Sequence, residues 1–446
     1  MAKIAVIGGG AAGMMFSTQY KKMNPGDEIF IFEKTPYVAW AGCPTPYYIA
    51  GELGFGSVVL GTPDEFRARG LNVLVNHEVK KVDFENKELT IEGAEISGAF
   101  QYDKLILAFG GKSFVPNIKG YKEGLENVFT LSHAVHAEKI KEFLDTRNDI
   151  KKAIVVGGGF IGMEMAEAFK TRGLEVTILE KMGDILPTVS SGMKEPIIKE
   201  MAARGVELKL NSGVTEVKSE GGKATALVLE SGEEVSFDIV LFSIGITPNI
   251  DFIENSCIET KNGKVIVNDK FETNVKDVYA LGDAIYTRNI LTNEYLYAPF
   301  GDVANKEGMI LAKYLSGEDV SWRGALRSYA SSFYEIKIAQ TGLTLDEAKR
   351  YGYNADRLEM RAMTKNSDFE DSKPNKVEMI YDKDRKVLLG GTVTGYEAVA
   401  QFLDQIAIVI NFEIPVERFI EIDFAYSPTN SSVWNPLLVA YRKLIK

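Results

Sequence analysis

The chain has few of the residues that staple or metallate a fold: its 446 residues include two cysteines, Cys43 and Cys257, and three histidines. No CxxC and no Cys/His spacing of a zinc or iron–sulfur site occurs. Two thiols in so long a chain are no disulfide framework. Long apolar runs are missing too. The longest candidate, Ile406 to Ile410, is core-sized, short of the roughly 18–20 residues that span a bilayer. Met1-Ala2-Lys3 leads straight into Ile4-Ala5-Val6-Ile7 and glycines, without the apolar stretch and cleavage site of a secretory signal. A cytoplasmic protein is expected. The net charge is −11 and the pI near 5.1, and no Lys/Arg run supplies a basic stripe, so a nucleic-acid partner is not expected. With 45% hydrophobic and 25% charged residues the chain is no disordered tail. Its length suggests two to four domains.

What is present is a repeat. Ile4 to Met14 reads IAVIGGGAAGM and is followed by Ile31-Phe32-Glu33-Lys34. Ile154 to Met163 reads IVVGGGFIGM and is followed by Ile178-Leu179-Glu180-Lys181. Each copy has a β-rich run, a GxGxxG turn, a helical pattern, a second apolar run and an acid. This is the βαβ dinucleotide fingerprint. Gly8 and Gly157 make the tight turn. Gly10 and Gly159 let a pyrophosphate approach the helix N-terminus, where free N–H groups favour anions. Gly13 and Gly162 allow close helix–strand packing. Glu33 lies 20 residues after Gly13 and Glu180 lies 18 after Gly162, both placed for ribose hydroxyls. A carboxylate at that edge repels a 2′-phosphate, so Glu180 favours NADH over NADPH, with Lys181 beside it as the opposing charge.

The order of parts resembles the FAD-dependent pyridine nucleotide–disulfide oxidoreductases. Leu105 to Gly111, LILAFGG, is similar to the family's crossover out of the FAD domain. Ile239 to Asn249, IVLFSIGITPN, is similar to the crossover back, with Gly245 at its turn. Thr273 to Ala284, TNVKDVYALGDA, resembles the second FAD motif, whose acid, here Asp283, holds the ribityl chain. The resemblance implies an α/β fold with two Rossmann-like domains and a C-terminal α+β dimerisation domain. Residues 1–111 and 247–320 would bind FAD, with Glu33 and Lys34 at its ribose. Residues 112–246 would bind NADH, NADPH being possible. Residues 321–446 would form the dimerisation domain of a homodimer, with strands in Lys376–Tyr381 and Val387–Val393. The polar stretch Thr364 to Pro374 reads as an exposed loop.

Cys43 stands in WAGCPTPYYIAG, ten residues beyond Glu33. Pro44 suits the first position of a helix, which would make Cys43 an N-cap whose thiolate is favoured by the dipole. Such a thiolate near the flavin could pass electrons to an oxidant. Cys257 lies in a polar segment and reads as inert. Glutathione- and lipoamide-type reductases place a second cysteine with four residues between the two, where this chain has Tyr48. The resemblance is therefore to the single-cysteine branch: coenzyme A-disulfide reductases, NADH peroxidases and oxidases, and persulfide- or polysulfide-reducing relatives. Oxygen- and peroxide-reducing members carry a His where this chain has Ala11, and His77, His133 and His136 fall in no catalytic motif. That favours a thiol-type substrate, since peroxide chemistry needs a proton for its leaving hydroxide.

Asp423-Phe424-Ala425-Tyr426-Ser427-Pro428 resembles the coenzyme A-disulfide reductase run whose tyrosine reaches the partner's cysteine, so Tyr426 would protonate the leaving thiolate. Thr429-Asn430 departs from that run just afterwards. By position Lys22 and Arg69 would meet coenzyme A phosphates, Asn305 would line the substrate channel, and Glu164 would lie near the nicotinamide. The expected activity is NADH-dependent reduction of coenzyme A disulfide, or of a related persulfide or polysulfide, through Cys43. Two alternatives share these motifs: an NADH oxidase or peroxidase working through a Cys43 sulfenic acid, and a reductase feeding a rubredoxin-type protein, for which Cys43 would be dispensable. NADH should outperform NADPH in kcat/KM, and Glu180→Gln should narrow that ratio by about tenfold, the scale of one lost 1.4 kcal/mol discrimination. Steady-state kinetics with both nucleotides checks it; a wild type that prefers NADPH overturns it.

Overall fold

A computed structural model describes residues 1–254 and 256–444. The two glycine repeats build two parallel five-stranded sheets of the same order. In the first, Asn72–Val75, Glu28–Glu33, Lys3–Ile7, Lys104–Leu107 and Val278–Ala280 lie side by side. In the second the order is Val206–Lys209, Glu175–Leu179, Lys152–Val156, Ile239–Phe242 and Val128–Thr130. Strands buried on both faces read as near-continuous apolar runs, as IAVI and AIVV do. The fifth strand of each sheet is borrowed from far along the chain. The first sheet takes it from beyond the second, and the second takes it from before its own glycine turn. The chain therefore crosses between the sheets twice, and the two crossings pair: Gly111–Ser113 runs antiparallel to Ile246–Pro248.

The third layer is an antiparallel sheet, Tyr329–Phe333, Ile336–Gly342, Val387–Gly395, Pro374–Asp382 and Ala355–Met363. Helix Val399–Asn411 packs Ile406 onto Gly391 of this sheet. The stretch Thr364 to Lys373 does link two of its strands, while Pro374 already belongs to the next one. It is not wholly exposed, because Thr364 and Lys365 are buried at its root and Lys365 Nζ is held by Asp371 (2.5 Å). Among the described residues no helix is long and apolar enough to cross a membrane.

Helix Ala11–Met23 carries the first glycine turn, and helix Gly301–Leu315 crosses it at close range. A Cβ on Gly308 would lie 2.6 Å from the Ala12 carbonyl and 2.9 Å from the Phe16 amide. Backbone cannot yield there as a flexible side chain could. Gly308→Ala should gain about 1 kcal/mol of helix propensity yet lose about 1–3 kcal/mol to overpacking. We expect a net fall in melting temperature with earlier flavin release, read by flavin fluorescence during heating. An unchanged or higher melting temperature overturns this reading of the contact.

Candidate active site

The two turns solve the same steric problem. Gly8 (φ +105°) and Gly157 (φ +111°) are left-handed, and a Cβ on either would strike the facing strand's Ala108 or Ser243 carbonyl. A Cβ on Gly13 or Gly162 would lie about 2 Å from the Gly8 or Gly157 carbonyl, which is why helix and strand can meet so closely. At the middle glycines the space is open: Gly10 has only Trp40 Nε1 at 3.8 Å, and Gly159 has nothing within 4 Å. Both cap their helices without a side-chain partner, leaving the N-terminal N–H groups for a ligand.

Each acid is aimed by the turn it follows. The Gly9 N–H donates to Glu33 Oε2 (2.9 Å) and the Thr35 N–H to Oε1 (2.9 Å). The Gly158 and Met182 N–H groups hold Glu180 in the same way, both at 2.7 Å. Burial pushes the Glu33 carboxyl up, with these backbone bonds opposing it. Lys181 turns away from Glu180 to an exposed pair with Glu230 (3.2 Å).

In front of the first turn opens a cavity of about 1210 Å³, larger than the 300–1,000 Å³ of ordinary small-molecule pockets. Gly8, Gly10, Glu33, Lys34, Cys43, Glu164, Asp283 and Asn305 all line it. The second turn (Gly157, Gly159, Gly162), Glu180 and Gly245 lie outside it, as do Lys22 and Arg69. Lys22 is exposed at the end of the first helix, and the exposed Arg69 guanidinium lies 5.1 Å from the Phe66 ring centroid. The cations that do reach the wall include Lys80 and Lys112. Tyr426 is 57% exposed, and among the described residues none beyond Asn305 lines the cavity. Cys257 is exposed elsewhere.

Cys43 is exposed and lines the cavity, but it is not the helix cap expected from the sequence. The helix is the short Thr45–Ala50, Pro44 is its cap, and Pro46 is the proline in its first turn. Thr45 draws the chain into a tight turn, donating to the Gly42 carbonyl through N–H (3.0 Å) and Oγ1 (2.6 Å). Cys43 is thereby displaced one residue ahead of the cap. Nor is its thiol activated by the protein alone: though the residue is open to the cavity, the protein packed around it displaces water from the sulfur, and this desolvation, then the Glu164 carboxylate, push the thiol up rather than down.

Glu164 is half of a buried arrangement that motif reading left incomplete. Ser331 Oγ, from the antiparallel sheet, donates to its Oε1 (2.6 Å), and the neighbouring Glu167 takes the Tyr334 N–H (2.9 Å). Burial raises both carboxyls. His133 was also missed. It lines the cavity with its ring 4.5 Å from that of Trp40, and burial holds its pKa down to about 3. It is a neutral wall, not a proton donor. His77, at the cavity edge, has Nδ1 on the Val75 carbonyl and Nε2 accepting the Glu95 and Ile96 N–H groups, so its work is structural.

Residues 2–299 match the pyridine nucleotide-disulphide oxidoreductase family, and residues 329–437 match that family's dimerisation domain. The chain belongs to this family. It is 30% identical to the CoA-dependent NAD(P)H sulfur oxidoreductase of Pyrococcus abyssi over 443 residues, covering 99% of this chain and 98% of that protein. It is 28% identical to the coenzyme A disulfide reductase of Staphylococcus haemolyticus, covering 97% and 96%. Its fold is similar to the solved structure of reduced Bacillus anthracis CoADR-RHD, with TM-score 0.95 and 28% identity, covering 100% of this chain and 80% of that one.

A member of this family is an FAD- and NAD(P)H-dependent oxidoreductase, and the cavity fits FAD. The methyl-free cradle at Gly10 suits a pyrophosphate. Asp283 stands half-buried at the cavity wall with no protein donor among the described residues, an acceptor waiting for a polyol hydroxyl. The Glu164 arrangement makes one prediction. The rate of Cys43 alkylation against pH should rise at higher pH than for an ordinary thiol, and Glu164→Gln should shift that rise to lower pH. Iodoacetamide labelling of Cys43, quantified by mass spectrometry, checks it; an unmoved profile removes Glu164 from the cysteine's environment.

Proposed function

We propose that the chain uses NADH to reduce the disulfide or persulfide of a coenzyme A-type thiol through Cys43. The observation that carries this reading is a single cysteine, among the described residues, on the wall of the dinucleotide cavity, with Tyr48 where a second sulfur would close an intrachain disulfide. Ala11 stands where the oxygen- and peroxide-reducing members carry a His, which weighs against peroxide chemistry. In this reading residues 1–111 and 247–320 hold FAD, residues 112–246 hold the nicotinamide nucleotide, and residues 321–446 pair two copies.

FAD, when bound, relays two electrons from nicotinamide to sulfur. The chain's own residues do the rest. Glu33 and Asp283 fix the ribose and ribityl ends, and Glu180 selects the nucleotide. Glu164 closes the wall between the nucleotide helix and Cys43. Cys43 attacks the substrate disulfide as thiolate, displacing one thiol and holding the other as a mixed disulfide. Lys22 and Arg69, exposed outside the cavity, are the cations for the substrate's phosphates, and Asn305 lines its path. The leaving thiolate takes its proton from the partner's Tyr426. Support for a second copy comes from exposed apolar residues of the same C-terminal domain, Phe412, Ile422, Val433 and Trp434 beside Tyr426 itself, which suit burial against a partner.

Cys43→Ser should keep FAD and still be reduced by NADH, yet lose coenzyme A disulfide turnover by several orders of magnitude, because a hydroxyl cannot carry the sulfur cycle. Tyr426→Phe should cost about 10²-fold, the scale of a positioned proton donor. Stopped-flow reduction and steady-state turnover separate the two half-reactions. If Cys43→Ser turns over the disulfide at the wild-type rate, the thiol mechanism fails. If it loses only oxygen or peroxide turnover, and wild type ignores the disulfide, the oxidase reading replaces it.

A further inference from the structure

Glu307 is 1% exposed, on helix Gly301–Leu315, and no motif pointed to it. Its Oε2 accepts the Gly282 N–H (2.8 Å), the amide next to Asp283 on the cavity wall. Near it the buried Thr287 hydroxyl takes the Trp322 indole N–H (2.6 Å). One turn earlier on the same helix, Gly301, Asp302, Ala304 and Asn305 line the cavity itself.

The charges facing it are lopsided. Asp283 is the acid of the neighbouring Gly282–Ala284 turn, and Asp302 that of its own helix. Asp302 is paired with exposed Lys306 (3.0 Å). The first helix presents Ala12, Met15 and Phe16 to Gly308, all uncharged. Tyr297, beside Asp283, is held in its neutral form by burial and by that acid. Among the described residues no cation lies within salt-bridge distance of Glu307 or Asp283. A flavin that gains a hydride gains two electrons and one proton, hence one net negative charge, in a space already walled by acids.

We propose that Glu307 gates that charge: as a carboxylic acid it lets electrons accumulate on the bound flavin, and as a carboxylate it opposes them. Burial, against the Gly282 hydrogen bond, raises its pKa to about 8. Below that pH the acid is already neutral, and reduction adds only the hydride. Above it, reduction draws one proton from solvent onto Glu307, and reoxidation returns that proton. This is a positioning role. It rests on the flavin site alone, so it stands whichever oxidant Cys43 serves.

The test is the midpoint potential of the flavin in the holoenzyme, followed by anaerobic dye-coupled titration on both sides of about pH 8. In wild type the slope against pH should steepen by one proton per two electrons above the break. Glu307→Gln, nearly isosteric and permanently neutral, should show no break. A break common to both proteins, or absent from wild type, overturns the proposal. Where the variant holds too little flavin to titrate, wild type alone decides. Its reduced-minus-oxidised infrared spectrum above pH 8 should gain a protonated-carboxyl C=O band, and a spectrum without that band also overturns the proposal.

Discussion

The carbonyl of Ala12 and the amide of Phe16 lie against Gly308 with no room for a methyl group, and this contact joins two ends of a domain nearly 300 residues apart in sequence. It brings the N-terminal turn of helix Gly301–Leu315 to the same cavity as the first glycine turn. Strand Val278–Ala280 returns alongside Lys104–Leu107, with Asp277 tied to both Lys87 (2.6 Å) and Lys104 (3.4 Å). Those exposed and half-exposed pairs align the return and contribute little to stability. The buried helix crossing and the apolar sheet do the holding. With the returning segment anchored, everything between Gly111 and Ile246 can be an insertion whose only requirement is that its two ends pair.

The two glycine turns are alike in geometry and unlike in surroundings, and that difference matches two kinds of occupancy. Glu33 is buried at the wall of a large cavity, whereas Glu180 is only half-buried at an open turn. A ligand that loses most of its contact with water leaves slowly. One bound at an open turn exchanges quickly, as a consumed reductant must. The antiparallel sheet reaches into this second site, with Tyr329 packed 4.3 Å from Phe160 at the helix start and Ser331 bonded to Glu164. In the reading proposed above, pairing of two copies through that layer would bear on the nicotinamide site.

What the sequence made legible was the part governed by local rules. Glycine at a left-handed or crowded position has no substitute, so the turns, their acids and the parallel sheets could be read residue by residue. Asp283 was legible for the same reason, through the Gly282 turn. Contacts made only in three dimensions could not be read. Ser331 and Glu164 are far apart in sequence, and nothing in either segment names the other. Glu307 sits in a helical pattern as one more polar residue, and only the packing of Gly308 shows that its carboxyl faces inward. His133 carries no motif because its part is to be a wall. Lys22 and Arg69 were chosen by position, and both stand exposed outside the cavity. The Cys43 cap failed on a local competition: Thr45 bonds Gly42 twice, and that turn displaces the helix start by one residue.

That displacement changes how the cysteine works. A helix cap would favour the thiolate; burial and Glu164 instead favour the thiol. A smaller thiolate fraction lowers the rate of attack, but nucleophilicity per thiolate rises with pKa, with a Brønsted coefficient of about 0.4–0.5, so part of the loss is recovered. The next step is different. Two electrons cleave the one S–S bond of the mixed disulfide and leave both sulfurs at the thiolate level. The substrate's sulfur departs into water, where solvent stabilises it. Cys43 stays beside Glu164, whose carboxylate favours the thiol, so it takes up a proton. The acid beside Cys43 therefore sets the protonation state in which the cysteine rests between turnovers, and each new attack begins with loss of that proton.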